Sequence, residues 1–124
     1  IEENGRTGRK PLHWEYLDNA DRKGLHDVYA GLMKLRNAHP ELFDANATLT
    51  WKVETSDWDN GRTLLVKSIT GKQLVVVGNF THTATDIVFP ATPGNWTNYF
   101  TGKSETVNKQ VNVPAHGYVV YTNF

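Results

Sequence analysis

Gln73-Leu74-Val75-Val76-Val77-Gly78-Asn79-Phe80 is the stretch that decides the fold of this chain. Side chains of a strand point alternately to opposite faces, so the run from Leu74 to Val77 is apolar on both of them. Such a strand needs cover above and below, which predicts a central position in a sheet for residues 72–80. Gly71 supplies the tight reversal that enters it. Upstream, Leu49, Trp51 and Val53 alternate with polar residues, which predicts a half-buried strand over 48–54. Asp59-Asn60-Gly61 is a turn signal, and residues 62–70 read as the strand that follows it. Downstream, Pro90, Pro93-Gly94, Gly102 and the stretch 114–117 separate further strands expected at 85–89, 96–101, 106–113 and 118–122. Seven short strands with turn residues between them predict a mainly β segment, an antiparallel sandwich or barrel.

Before residue 43 the period changes from 2 to about 3.6. Leu25, Val28, Tyr29, Leu32 and Leu35 recur at three- and four-residue steps and predict one long α-helix over 19–39. Asp18 or Asn19 can cap it, Asp21 and Arg36 suit its positive and negative ends, and Pro40 stops it. Twenty-odd residues at about 1.5 Å each make a rod of roughly 30 Å, long for a helix lying beside one small sheet. Gly24 and Gly31 fall on nearly the same side of it, which suits close packing of a neighbouring helix. The stripe is therefore expected to be half covered in isolation, leaving a face for more protein or for a second copy of the chain.

The 124 residues suffice for one core, and thirteen Lys+Arg balance thirteen Asp+Glu. A net charge of zero gives no field to gather phosphates or anionic lipid, which argues against nucleic-acid and membrane-surface partners. No apolar run approaches the ~20 residues of a membrane span. The absence of cysteine leaves the redox compartment open. Sequons occur at Asn46, Asn79 and Asn95, but such triplets arise often by chance. Ile1 as the first residue, Met33 as the only methionine and a polar opening segment read as a piece of a longer protein.

Leu35-Arg36-Asn37-Ala38-His39-Pro40-Glu41-Leu42-Phe43, then Val75-Val76-Val77-Gly78-Asn79-Phe80, then Val113-Pro114-Ala115-His116-Gly117-Tyr118 occur in an order and spacing that resemble the α-amylase family of glycoside hydrolases. The resemblance covers nearly the whole chain. It implies that residues 1–43 are the end of a (β/α)₈ barrel, namely the loop after strand eight and the last helix. It implies that residues 44–124 are the C-terminal Greek-key β-sandwich domain, closing on a hairpin at 113–118. The implied parent acts on α-glucans such as starch and maltodextrins, with a secreted or periplasmic location by family habit. The implied partner of this segment is the catalytic barrel.

Glycoside hydrolysis needs two carboxyl groups held about 5 to 5.5 Å apart in a retaining enzyme. The resemblance implies that these lie upstream of Ile1, so no catalytic residue is expected here. Asp21 and Asp27 lie on the helix, Asp57 and Asp59 in a turn, and Glu2-Glu3 in a segment with no sign of order. His13, His26, His39, His82 and His116 form no His-x-His or His-Glu-x-x-His pattern, so no metal site and no cofactor is expected. His39 should follow the helix end, and His116 should occupy the last hairpin turn. Ser56, Ser68 and Ser104 make no nucleophile elbow.

Aromatic rings are the residues to weigh for ligand contact, since indole faces stack on apolar faces of sugar rings. Trp51 alternates with Leu49 and Val53 and is expected in the core. Trp96, near Tyr99 and Phe100, is expected to pack between strands. Trp58 sits in a polar turn, and Trp14 precedes the helix, where the resemblance implies the barrel face at which substrate enters. Trp14 and Trp58 are thus the candidate substrate-binding residues. Two functions follow: a non-catalytic domain that stabilises the barrel, or a glucan-binding module using Trp58 or the Trp96–Tyr99 pair as a platform.

Overall fold

A computed structural model describes residues 11–53 and 61–124. Contacts divide the chain into two compact units, Ile1–Leu35 and Arg36–Phe124. In the first, a 3₁₀ turn at Trp14–Asp18 leads into α1, Ala20–Ala38, which runs across the division. Asn19 caps α1: its Oδ1 accepts from the backbone N–H of Asp21 and of Arg22, both at 3.1 Å. These are two of the donors that a helix start leaves without intrahelical partners. Lys23 and Asp27, one turn apart, form an ion pair on its surface. Along the predicted stripe Leu25, Tyr29 and Leu32 are exposed, Val28 is half-buried and Leu35 is buried. Open space surrounds Gly24, where an added Cβ would meet no atom within 4 Å.

The second unit is mainly β, an antiparallel sandwich of eight strands among the described residues: β1 Thr48–Val53, β2 Arg62–Lys67, β3 Gln73–Gly78, β4 Thr85–Val88, β5 Gly94–Asn98, β6 Ser104–Val107, β7 Gln110–Val113 and β8 Tyr118–Thr122. Six of them form one sheet in the order β1-β2-β3-β8-β5-β6, and β4 and β7 form the second. Strand β3 is interior, between β2 and β8, as its two-sided apolar run requires. Strands β5, β6 and β7 are consecutive, and β8 returns to lie beside β5, which is the Greek-key order with β7 turned into the second sheet.

The core lies between the sheets. Leu65, Val75, Val77 and Tyr121 face Ile87, Phe89, Val111 and Val113, and Trp96 and Val107 complete the cluster. Phe89 meets Trp96 edge-on at 5.2 Å and Tyr121 at 6.1 Å. The Trp96 indole N–H donates to the Thr92 carbonyl at 3.0 Å, so its one polar atom stays paired on burial.

Three expectations are corrected. The strand predicted over 106–113 is two strands in different sheets. The chain leaves β6 at Asn108 and Lys109, where the Phe89 N–H donates to the Lys109 carbonyl and draws β7 toward β4. The strand predicted over 96–101 starts at Gly94 and ends at Asn98, because residues 99–102 form the turn into β6, with Gly102 at φ +69°. The stretch 113–118 is not a hairpin: β7 pairs with β4 while β8 pairs with β3 and β5, so its turn carries the chain from one sheet to the other.

Trp51 is corrected as well. It is 68% exposed and Leu49 is 58% exposed, so neither belongs to the core. Strand β1 is the edge of the large sheet, and register sets Leu49 opposite Val66 and Trp51 opposite Leu64. Continuing across the ladder, these line up with Leu74 and Val76, on the face turned away from Leu65, Val75 and Tyr121.

Candidate functional site

The segments singled out in sequence turn out to be joints of the fold. At the first, Lys72 at the start of the β3 hairpin donates from Nζ to Glu41 Oε1 at 2.7 Å and to His39 Nδ1 at 3.2 Å. The Phe124 ring lies 4.3 Å from the His39 ring and 5.3 Å from Lys72 Nζ. His39-Pro40-Glu41 is thereby tied to the chain's last residue, with Leu42 buried beside it in sequence. The hydrogen bond from Lys72 holds the Glu41 carboxyl below its ordinary pKa.

At the second joint, Asn79 is only 2% exposed. Its Nδ2 donates to the carbonyl oxygens of Thr83, Val113 and Pro114 at 2.8, 2.9 and 3.1 Å. Its Oδ1 accepts from the Thr81 N–H and hydroxyl, both at 2.8 Å. Its own N–H donates to the Gly117 carbonyl at 2.9 Å. Asn79 therefore bolts the β3–β4 loop to the turn between β7 and β8, and its buried, engaged amide leaves that sequon closed in the folded chain. The turn is tight: the Gly117 N–H donates to the Pro114 carbonyl at 2.9 Å, and His116 has φ +55°.

The candidate rings separate. Trp14 is 71% exposed on the 3₁₀ turn, with Tyr16 exposed beside it. The His13 ring stacks on Tyr16 at 4.8 Å, and the Arg22 guanidinium lies 4.0 Å from the Tyr16 centroid on its face. Glu15 accepts from His13 at 2.7 Å, and its carboxyl is held below its ordinary pKa by its own backbone N–H first and by His13 second. Trp58 lies outside the described residues, as do Glu2, Glu3, Asp57 and Asp59. Trp96 is 5% exposed and so offers no face to a ligand, which overturns the Trp96–Tyr99 platform.

Sequence reasoning missed one partly open apolar surface among the described residues. It is the outer face of the six-stranded sheet, where Leu49, Trp51, Phe80, Phe100 and Tyr118 are exposed. Phe100 meets Tyr118 edge-on at 5.9 Å, and the Arg62 guanidinium lies 5.4 Å from the Phe80 centroid. The β5 and β6 part of the same face is polar, with Asn95, Thr97, Ser104 and Thr106 in register. The middle of that face is already covered, with Val66, Leu74 and Val120 buried, so the exposed rings mark its margins.

On the second sheet, Asp86 and Asn112 stand opposite each other and share a 2.8 Å hydrogen bond in an open groove with Val88, Pro93, Lys109 and Gln110. No aromatic ring among the described residues lines it. Among the described residues, no group of three or more His, Cys, Asp or Glu stands together as a metal cluster. No described helix is long and apolar enough to cross a membrane. No protein-family model and no curated protein matches the chain.

Proposed function

We propose that this chain is the non-catalytic C-terminal part of an α-amylase-family glycoside hydrolase acting on α-glucans, and that it works by covering and stiffening the catalytic barrel. The observation that carries the reading is apolar side chains left uncovered at the margins of the outer sheet face: Leu49 and Trp51 at 58% and 68% exposure on the β1 edge, and Phe80, Phe100 and Tyr118 exposed elsewhere on it. An exposed apolar patch of this kind marks a surface made to be covered. The exposed Leu25, Tyr29 and Leu32 on α1 add a second such surface. Each stretch that carries the family resemblance also holds a joint: His39 and Glu41 at Lys72, and Asn79 at the turn 113–117.

Covering these side chains contributes roughly 25 cal/mol per Å² of apolar area removed from water. The test is to read the coding region upstream of Ile1 for the family's Asn-His-Asp barrel motif, then to express the extended protein with and without residues 44–124. The full form should release reducing sugar from starch, and the truncated form should be less soluble and melt at a lower temperature. Lack of the motif, or a truncated form of unchanged melting temperature, would count against the reading.

A second reading, direct glucan contact, is supported by one observation, the exposed Trp14 ring with Tyr16 two residues on. Titration with maltoheptaose should then shift tryptophan fluorescence in the parent chain and not in a Trp14→Ala variant. No shift at millimolar sugar removes this reading, and a shift that survives in Trp14→Ala moves the contact to another tryptophan.

A further inference from the structure

Two histidines that no sequence pattern connects stand against each other. His82, in the β3–β4 loop, and His116, in the β7–β8 turn, are 34 residues apart, yet His82 Nδ1 lies 3.0 Å from His116 Nε2. The ring centroids are 4.8 Å apart and the planes nearly perpendicular, at 78°. Both side chains are exposed, so an ion in water can reach them. Both backbones are held by contacts already described. Asn79 fastens the two segments together, and the His116 N–H donates to the Thr81 carbonyl at 3.2 Å, one residue before His82.

We propose that His82 and His116 form a two-histidine site for a borderline divalent transition-metal ion of the Ni²⁺, Cu²⁺ and Zn²⁺ group, with water completing the coordination. Neutral imidazole nitrogen is a preferred ligand for these ions and a poor one for Mg²⁺ or Ca²⁺. Two nitrogens bound to one tetrahedral ion at about 2.0–2.1 Å lie roughly 3.3 Å apart. The observed 3.0 Å is within a few tenths of that span, so the backbone needs no movement. Only the two exposed rings must turn, exchanging their mutual hydrogen bond for two bonds to metal. The ion would thereby cross-link the two connections that carry the chain between the sheets.

Sequence spacing argues against a metal site because it weighs only near neighbours along the chain. A pair brought together across 34 residues escapes it. With two protein ligands the affinity order should follow Cu²⁺ above Ni²⁺ and Zn²⁺, and Mg²⁺ should not compete.

The probe is NiCl₂, with ZnCl₂ in parallel, titrated calorimetrically into the 124-residue chain in a non-chelating buffer. One saturable ion per chain is expected, together with a rise in melting temperature. His82→Ala and His116→Asn should each weaken binding at least tenfold and abolish the rise. Asparagine is chosen because it tolerates the left-handed backbone that His116 occupies. His26→Ala, on the surface of α1, should bind as the parent does. If His116→Asn does not fold, His82→Ala decides alone. No saturable binding by the parent, or parent-like binding by His82→Ala, overturns the proposal.

Discussion

Asn79 donates its side-chain amide to the backbone carbonyl of Val113 at 2.9 Å, joining the end of the central strand to the end of β7 across the sandwich. The same side chain reaches Thr83 and Pro114 and accepts from Thr81, so five hydrogen bonds depend on one buried residue. Removing it takes a donor from the buried Val113 carbonyl, which costs more than the hydrogen bond itself contributes, while the Pro114 and Thr83 carbonyls keep the Gly117 N–H and the Thr81 and Thr85 hydroxyls. Asn79→Ala should therefore destabilise the chain by about 2–4 kcal/mol. Urea unfolding measures this, and a midpoint equal to the parent's would remove Asn79 from its assigned role.

Gly61 has φ +101°, and a Cβ there would lie 2.5 Å from the Gly78 carbonyl oxygen and 2.5 Å from Ile87 Cδ1. The backbone oxygen belongs to the β2–β3 ladder and has nowhere to go. Gly61→Ala should cost about 3 kcal/mol or more, from backbone strain and overpacking together. Gly71 also has positive φ, but open space surrounds it, so Gly71→Ala should cost only about 1–2 kcal/mol. Thermal melts of the two variants side by side should rank them in that order.

Leu49 and Trp51 bury little in the chain as it stands. Replacing both with serine should change its own stability by no more than about 1 kcal/mol, the scale of lost cross-strand pairs with Val66 and Leu64. The same double variant should lower concentration-dependent self-association in sedimentation velocity. In the extended protein it should impair folding. Loss of several kcal/mol in the chain alone would mean that these residues support the sandwich itself.

Tyr121 donates its hydroxyl to Glu105 Oε2 at 2.7 Å from a buried position. Burial first, and the neighbouring carboxylate second, push its phenol above the ordinary tyrosine value. The folded state thus keeps this proton where the unfolded chain releases it, and stability falls as pH rises above about 10. Tyr121→Phe should flatten that alkaline loss in a series of pH-dependent melts. Glu41 acts in the opposite direction, because its carboxyl is depressed by Lys72: its contribution is present at neutral pH and lost as pH falls below the ordinary carboxylate range. Glu41→Gln should lower the melting temperature at neutral pH and match the parent in acid.

Sequence by itself determined the local elements of this protein. Residue pattern narrows the cap of α1 to Asp18 or Asn19, of which Asn19 serves, and Pro40 follows the helix end, because capping and helix stopping act within a few residues. The run Leu74 to Val77 required an interior strand, and Gly71 turned the chain into it, because a period of two and a positive φ are local properties. What tertiary structure alone decided is which element covers which face. Alternation at Leu49 and Trp51 says that the two faces of β1 differ, and only its register with β2 turns that apolar face away from the core. The switch of β7 into the second sheet, the bond from Asn79 to Val113 and the meeting of His82 with His116 each join residues about 20 or more apart in the chain. Such contacts depend on chain crossing and sheet packing, which no short window of residue pattern contains.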